Sequence, residues 1–128
     1  MSSLNSYPRR GKDAQTILNV TVGATGGTST TTTLTADQAQ SEIVVPAAVT
    51  LNTTNGSAVL QFPNTAGDKT DGQIWWVDCQ NITFANSKTF TVAGTNGANP
   101  TTGIAISAVP TNKGILFYWN GVDMQRLA

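Results

Sequence analysis

Few residues of this chain could carry chemistry. Its 128 residues include no histidine and a single cysteine, Cys79, which excludes a disulfide framework, zinc sites built on histidine and cysteine clusters, and catalytic triads that need an imidazole. Asp78 and Asp123 lie on predicted strands that look like neighbours, but their spacing does not require the facing carboxylates of a glycoside hydrolase. No catalytic or cofactor motif is present, so we expect no enzymatic activity, no cofactor and no metal centre.

Two further features have simpler interpretations than a functional site. The segment Asp68–Gly72, with Asn64 nearby, offers oxygen ligands of the kind that calcium prefers, but its spacing departs from that of an EF-hand loop. A turn capped by Asx side chains is the simpler interpretation. Cys79 has no basic neighbour in the sequence, and this favours a small core residue over a nucleophile.

Aromatic residues on predicted strands are the strongest candidates for contacts with a partner. Neighbouring strand residues point to opposite sides of a sheet, so Trp75 and Trp76 cannot enter the same core. Neither face of their strand is polar enough for solvent, which predicts burial of both by a second layer or by neighbouring subunits. Trp75 and Tyr118 are therefore candidate subunit-interface or glycan-contact residues, although core positions are the commoner role for strand aromatics.

The composition restricts both fold and partners. The formal net charge is zero, 11% of residues are charged, and the chain contains 21 Thr, 11 Asn and 12 Gly. A neutral chain lacks the basic face expected of a nucleic-acid-binding protein. No run of 18 apolar residues predicts a membrane span, and the start lacks the apolar stretch of a secretory signal. We therefore expect synthesis and assembly in a reducing cytoplasm, and many short strands joined by turns.

The order of patterns along the chain predicts an arm followed by one domain. Residues 1–14 are polar and aperiodic, and we expect an extended N-terminal arm whose Tyr7, Arg9, Arg10 and Lys12 contact a partner surface; the alternative is a frayed terminus. Residues 15–128 read as a single all-β domain, a small antiparallel β-sandwich or β-barrel, with turn signals every 8 to 12 residues or so. No internal repeat is evident. The predicted strands are 15–22, 42–45, 48–51, 57–62, 73–79, 81–84, 88–93, 103–109, 114–119 and 122–127, and residues 23–33 are expected to form a loop or an edge segment.

The last two strands give the clearest local prediction. Asn120-Gly121 lies between two apolar runs and favours a two-residue type I′ turn, since both positions of such a turn need positive φ. The resulting register would place Trp119 opposite Val122 and Phe117 opposite Met124.

The second half of the chain, roughly residues 57–128, resembles the β-rich virion surface proteins of tailed bacteriophages. These are the capsid decoration (cement) proteins and the domains of head or tail fibres. The resemblance is a pattern of short strands and turns that ends in a Trp-Asn-Gly hairpin. It rests on four segments of this sequence: Leu60–Gly67, Asp71–Trp75, Lys88–Val92 and Gly114–Leu127.

The resemblance implies a non-enzymatic, trimeric component of a virus particle. The compact length, the short arm and the lack of an evident repeat favour a capsid decoration protein on the capsid exterior. Such a protein would bind the major capsid protein and stabilise the shell by linkage. One alternative is a short head or tail fibre, or a tail-tip protein, that contacts a host receptor or glycan. A second is a free-standing carbohydrate-binding module.

Overall fold

The computed structural model describes residues 17–63, 73–94, 103–120 and 124–128. In these ranges the chain forms short strands and one 3₁₀ turn at Gln38–Gln40, where the backbone N–H of Thr35 and the side chain of Gln38 form one of two reciprocal hydrogen bonds. The strands are β1 (Ile17–Val20), β2 (Thr30–Thr33), β3 (Ile43–Pro46), β4 (Val49–Leu51), β5 (Ala58–Phe62), β6 (Ile74–Asp78), β7 (Ile82–Phe84), β8 (Phe90–Gly94), β9 (Ile104–Ile106), β10 (Gly114–Trp119) and β11 (Met124–Arg126).

The prediction of an all-β domain is confirmed, but its sheets are mixed and do not close into a barrel. A five-stranded sheet has the order β1-β3-β6-β10-β11, a four-stranded sheet the order β2-β5-β8-β9, and a two-stranded sheet pairs β4 with β7. The expected antiparallel pairing was wrong for most of the molecule. It holds for β6 with β10, β10 with β11 and β8 with β9, whereas the other five strand pairs are parallel.

The parallel pairs arise because the chain visits the three sheets repeatedly in the same order. Strands β3, β4 and β5 enter the five-, two- and four-stranded sheets in turn, and β6, β7 and β8 follow the same route alongside them. Paired residues are 33 apart between β4 and β7 (Val49 with Ile82) and 32 apart between β5 and β8 (Ala58 with Phe90). These passes are successive coils of a short β-solenoid. A structural repeat is therefore present where the sequence was expected to have none.

Most predicted strands occur within a few residues of their expected positions. The main addition is β2, four consecutive threonines in the segment predicted as a loop or an edge. It forms the edge of the four-stranded sheet and pairs in parallel with β5. Threonine is β-branched and fits an edge position where one side of the strand faces solvent.

The register of the last hairpin differs from the predicted one. Trp119 pairs with Met124 and Phe117 with Arg126, so four residues, not two, connect the paired positions. The two-residue type I′ turn was therefore wrong. Gly121 itself lies outside the described residues.

The core fills the space between the sheets. On the five-stranded sheet, Val44, Val77 and Ile115 are register partners across three strands, and all three are fully buried. Phe62 of the four-stranded sheet packs against Trp75 with ring centroids 5.1 Å apart. The period-2 alternation of these strands thus directs one face of each inwards, and the opposite face of the five-stranded sheet is left facing outwards.

Candidate binding face

The outward face of the five-stranded sheet carries a row of large apolar side chains. Ile17 pairs with Ile43, Ile43 with Trp76, and Trp76 with Leu116, so four adjacent strands each contribute one residue at the same level. We call these four residues the outer apolar row. A second pair, Ile74 and Tyr118, lies two residues away on β6 and β10.

The exposure of this face is unusual for the molecule. In the described part of the chain, the large hydrophobic residues that are strongly exposed are Ile17 (59%), Ile74 (49%) and Leu127 (53%). Two of them lie on this face, and the backbone N–H of Leu127 donates to the carbonyl oxygen of Leu116 at 2.7 Å, which places it beside the row. A contiguous exposed apolar patch of this kind is typical of an interaction surface.

A groove of about 290 Å³ runs along the face and is lined by Glu42, Ile43, Ile74, Trp76 and Leu116. Glu42 is its one ionisable lining residue, and among the described residues its carboxylate forms no ion pair. A side chain at Gly114 would overlap the indole of Trp76, so the absence of one lets the ring lie close to β10. With four apolar walls and one carboxylate, the groove is suited to binding rather than to reaction.

The structure separates the two candidate aromatic residues of the sequence. Tyr118 lies half-buried on the outward face, as an interface role requires. Trp75 is fully buried, and its Nε1–H donates to the carbonyl oxygen of Ala39 at 3.1 Å, so no partner or glycan can reach its ring. The alternation of the strand indicated that Trp75 and Trp76 face opposite sides but could not say which faces the core. Trp76 is the tryptophan that lines the groove.

Several other sequence candidates lie outside the described residues. These are the arm residues Tyr7, Arg9, Arg10 and Lys12, the segment 68–72 with Asn64, and Asp123. Asp78 is on the outward side of β6, and its carboxylate accepts a hydrogen bond from the backbone N–H of Gln80 at 2.9 Å. Within the described ranges, no group of three or more His, Cys, Asp or Glu residues is placed to hold a metal ion.

Cys79 is a core residue, as expected. It is fully buried, and burial, together with the neighbouring Asp78 carboxylate, raises the pKa of its thiol from 9.0 to about 12, while Arg126 acts in the opposite direction. A thiol with so high a pKa is not ionised near neutral pH and is a poor nucleophile.

Comparison with known proteins adds no relative. No protein family, no curated protein and no solved structure matches this chain. Within its described ranges, the chain has no helix long and apolar enough to cross a membrane.

Proposed function

We propose that this chain is a non-enzymatic structural subunit that assembles through the outward face of its five-stranded sheet. The observation that carries the proposal is the outer apolar row, which spans four strands and whose first residue, Ile17, is 59% exposed. Burying apolar side chains of this size is favourable by roughly 1.5–3 kcal/mol each when it is complete. A face of this kind is stabilised by contact with a protein surface.

We further propose that the assembly is a homotrimer on a tailed-phage virion. The chain would be a capsid decoration protein that binds the major capsid protein on the capsid exterior after assembly in the host cytoplasm. The support is the resemblance of residues 57–128 to phage surface proteins, the zero net charge, and a binding face that carries no catalytic grouping.

One structural observation favours the fibre alternative. The chain repeats in space every 32–33 residues, as the shaft of a fibre would. Against a shaft, β10 occupies the place beside β6 where a further parallel coil would stack, and it runs antiparallel. Likewise, β9 runs antiparallel to β8. The stack of coils therefore does not continue in that direction, which favours a compact decoration subunit.

The proposal is tested by light scattering coupled to size exclusion. We expect the wild-type protein at three times the chain mass, and Ile74→Lys at the mass of one chain, because the lysine would place a charge in the interface. The matched control is Thr83→Lys, which puts the same charge on the outward side of the two-stranded sheet and should leave the trimer intact. A wild-type monomer at every concentration would overturn the proposal. A glycan array on Trp76→Ala and Tyr118→Ala would then test the carbohydrate-binding alternative.

A further inference from the structure

The shape of the groove indicates the kind of surface that fills it. Its volume of about 290 Å³ is at the lower limit of pockets that hold small ligands. Such a volume suits one or two side chains of an extended peptide. It is a poor match for a second flat sheet, which would contact the ridges on either side and leave the groove empty.

The charge of the groove indicates the sign of its occupant. Glu42 lines it, and among the described residues no cation pairs with this carboxylate. The one segment of the chain with a clear positive excess is residues 1–16, which contain Arg9, Arg10 and Lys12 against the single acid Asp13. The same segment supplies Tyr7, whose ring could pack on the apolar walls of the groove.

The point at which this segment joins the fold gives it the necessary reach. It leads into Ile17, which is both the first residue of an edge strand and a member of the outer apolar row. Strands lie about 4.8 Å apart, so Leu116 is about 14 Å across the sheet from Ile17. The eight residues from Arg9 to Ile17 span up to about 26 Å when extended, which is more than enough.

The turn-forming residues of the segment favour a neighbouring copy over the same chain. To cover its own sheet, the segment would have to reverse direction just before Ile17, yet residues 12–16 contain neither Gly nor Pro. The nearest such residue, Gly11, is up to about 20 Å of extended chain away from Ile17. A segment that enters the groove of an adjacent copy needs no reversal.

We propose that residues 1–14 of one copy occupy the groove of a neighbouring copy, with Tyr7 against Trp76 and the guanidinium groups of Arg9 and Arg10 facing Glu42. This inference rests on the proposed assembly, and it names the element of the partner that fills the face. It links each subunit to the next through an exchanged segment.

Photo-crosslinking of the full chain tests the contact directly. With p-benzoylphenylalanine in place of Tyr7, we expect a product of twice the chain mass in which the photoreactive residue is joined to the tryptic peptide 70–88, which contains Trp76, or to the peptide 114–126, which contains Leu116. The same photoreactive residue in place of Thr31, on the four-stranded sheet, should give no such product. Crosslinks only to other peptides, or only within single chains, would overturn the inference.

Charge exchange provides a second readout. We expect the full-chain double substitution Arg9→Glu and Arg10→Glu to raise the concentration needed for assembly at least tenfold, and Glu42→Arg in the same chain to restore it. The pair Lys88→Glu and Lys113→Glu, an equal change of charge elsewhere, should have little effect. A trimer that ignores the arm substitutions would overturn this inference alone, whereas a wild-type monomer would overturn the proposed function.

Discussion

Trp75 and Phe117 stand directly opposite each other on β6 and β10, and their rings stack with 5.3 Å between centroids and 21° between planes. Phe62 closes the cluster from the four-stranded sheet, with its ring nearly perpendicular to that of Phe117. The indole Nε1–H of Trp75 is satisfied by the carbonyl oxygen of Ala39. This cluster fixes which side of β6 is the core, and Trp76 is consequently directed outwards to the candidate binding face.

We therefore expect the two adjacent tryptophans to respond differently to the same substitution. Trp75→Phe removes a buried hydrogen bond and leaves a cavity, and should destabilise the protein by about 2–3 kcal/mol. Trp76→Phe keeps an aromatic ring on a half-exposed site and should cost less than about 1 kcal/mol. Urea unfolding of both variants measures the difference, at a protein concentration where both are in the same oligomeric state. Equal losses would contradict the assignment of the two faces.

The strands could be predicted from the sequence because their apolar alternation is local, but their pairing could not. Val49-Thr50-Leu51 and Ile82-Thr83-Phe84 share one pattern of burial 33 residues apart, and each reads equally well as an antiparallel or a parallel strand. Only the return of the chain to the same sheet decides between them, and that is a non-local property. The two-fold choice at Trp75 and Trp76 has the same origin, since the side that faces the core depends on Phe62 and Phe117 of other strands.

The stacking of the first two coils depends on Gly56. Its φ is +93°, and a side chain there would overlap the carbonyl group of Thr28 in the preceding coil. Gly56→Ala must therefore push the two coils apart as well as strain the backbone, and we expect a loss of at least about 3 kcal/mol or a failure to fold. The matched control is Gly26→Ala, where φ is +71° but no atom lies within 4 Å of the new methyl group. That variant should lose only about 1 kcal/mol. Thermal unfolding of the two variants compares them, and a Gly26 variant as unstable as the Gly56 variant would show that backbone strain, and not coil packing, dominates.

Burial of Cys79 predicts how stability changes in alkaline solution. In the unfolded chain the thiol ionises with a pKa near 9.0, whereas burial raises the pKa of the folded thiol to about 12. The folded state therefore keeps a proton that the unfolded state has lost between these values. The contribution of Cys79 to stability is complete below pH 9 and declines as the pH rises towards 12, by no more than about 1.4 kcal/mol per pH unit.

Cys79→Val isolates this effect, because tyrosine and lysine residues titrate in the same range in both proteins. We expect the free energy of unfolding of the wild type to fall more steeply than that of the valine variant between pH 9 and 11, as measured by urea unfolding. The thiol should also resist a disulfide reagent at pH 8 in the folded protein and react at once in urea, since it is fully buried and its Sγ–H lies 3.6 Å from the carbonyl oxygen of Val77. Parallel pH profiles for the two proteins, or rapid reaction of the folded thiol, would mean that Cys79 is open to solvent and that the closing contacts at the end of β6 are looser than the fold described above.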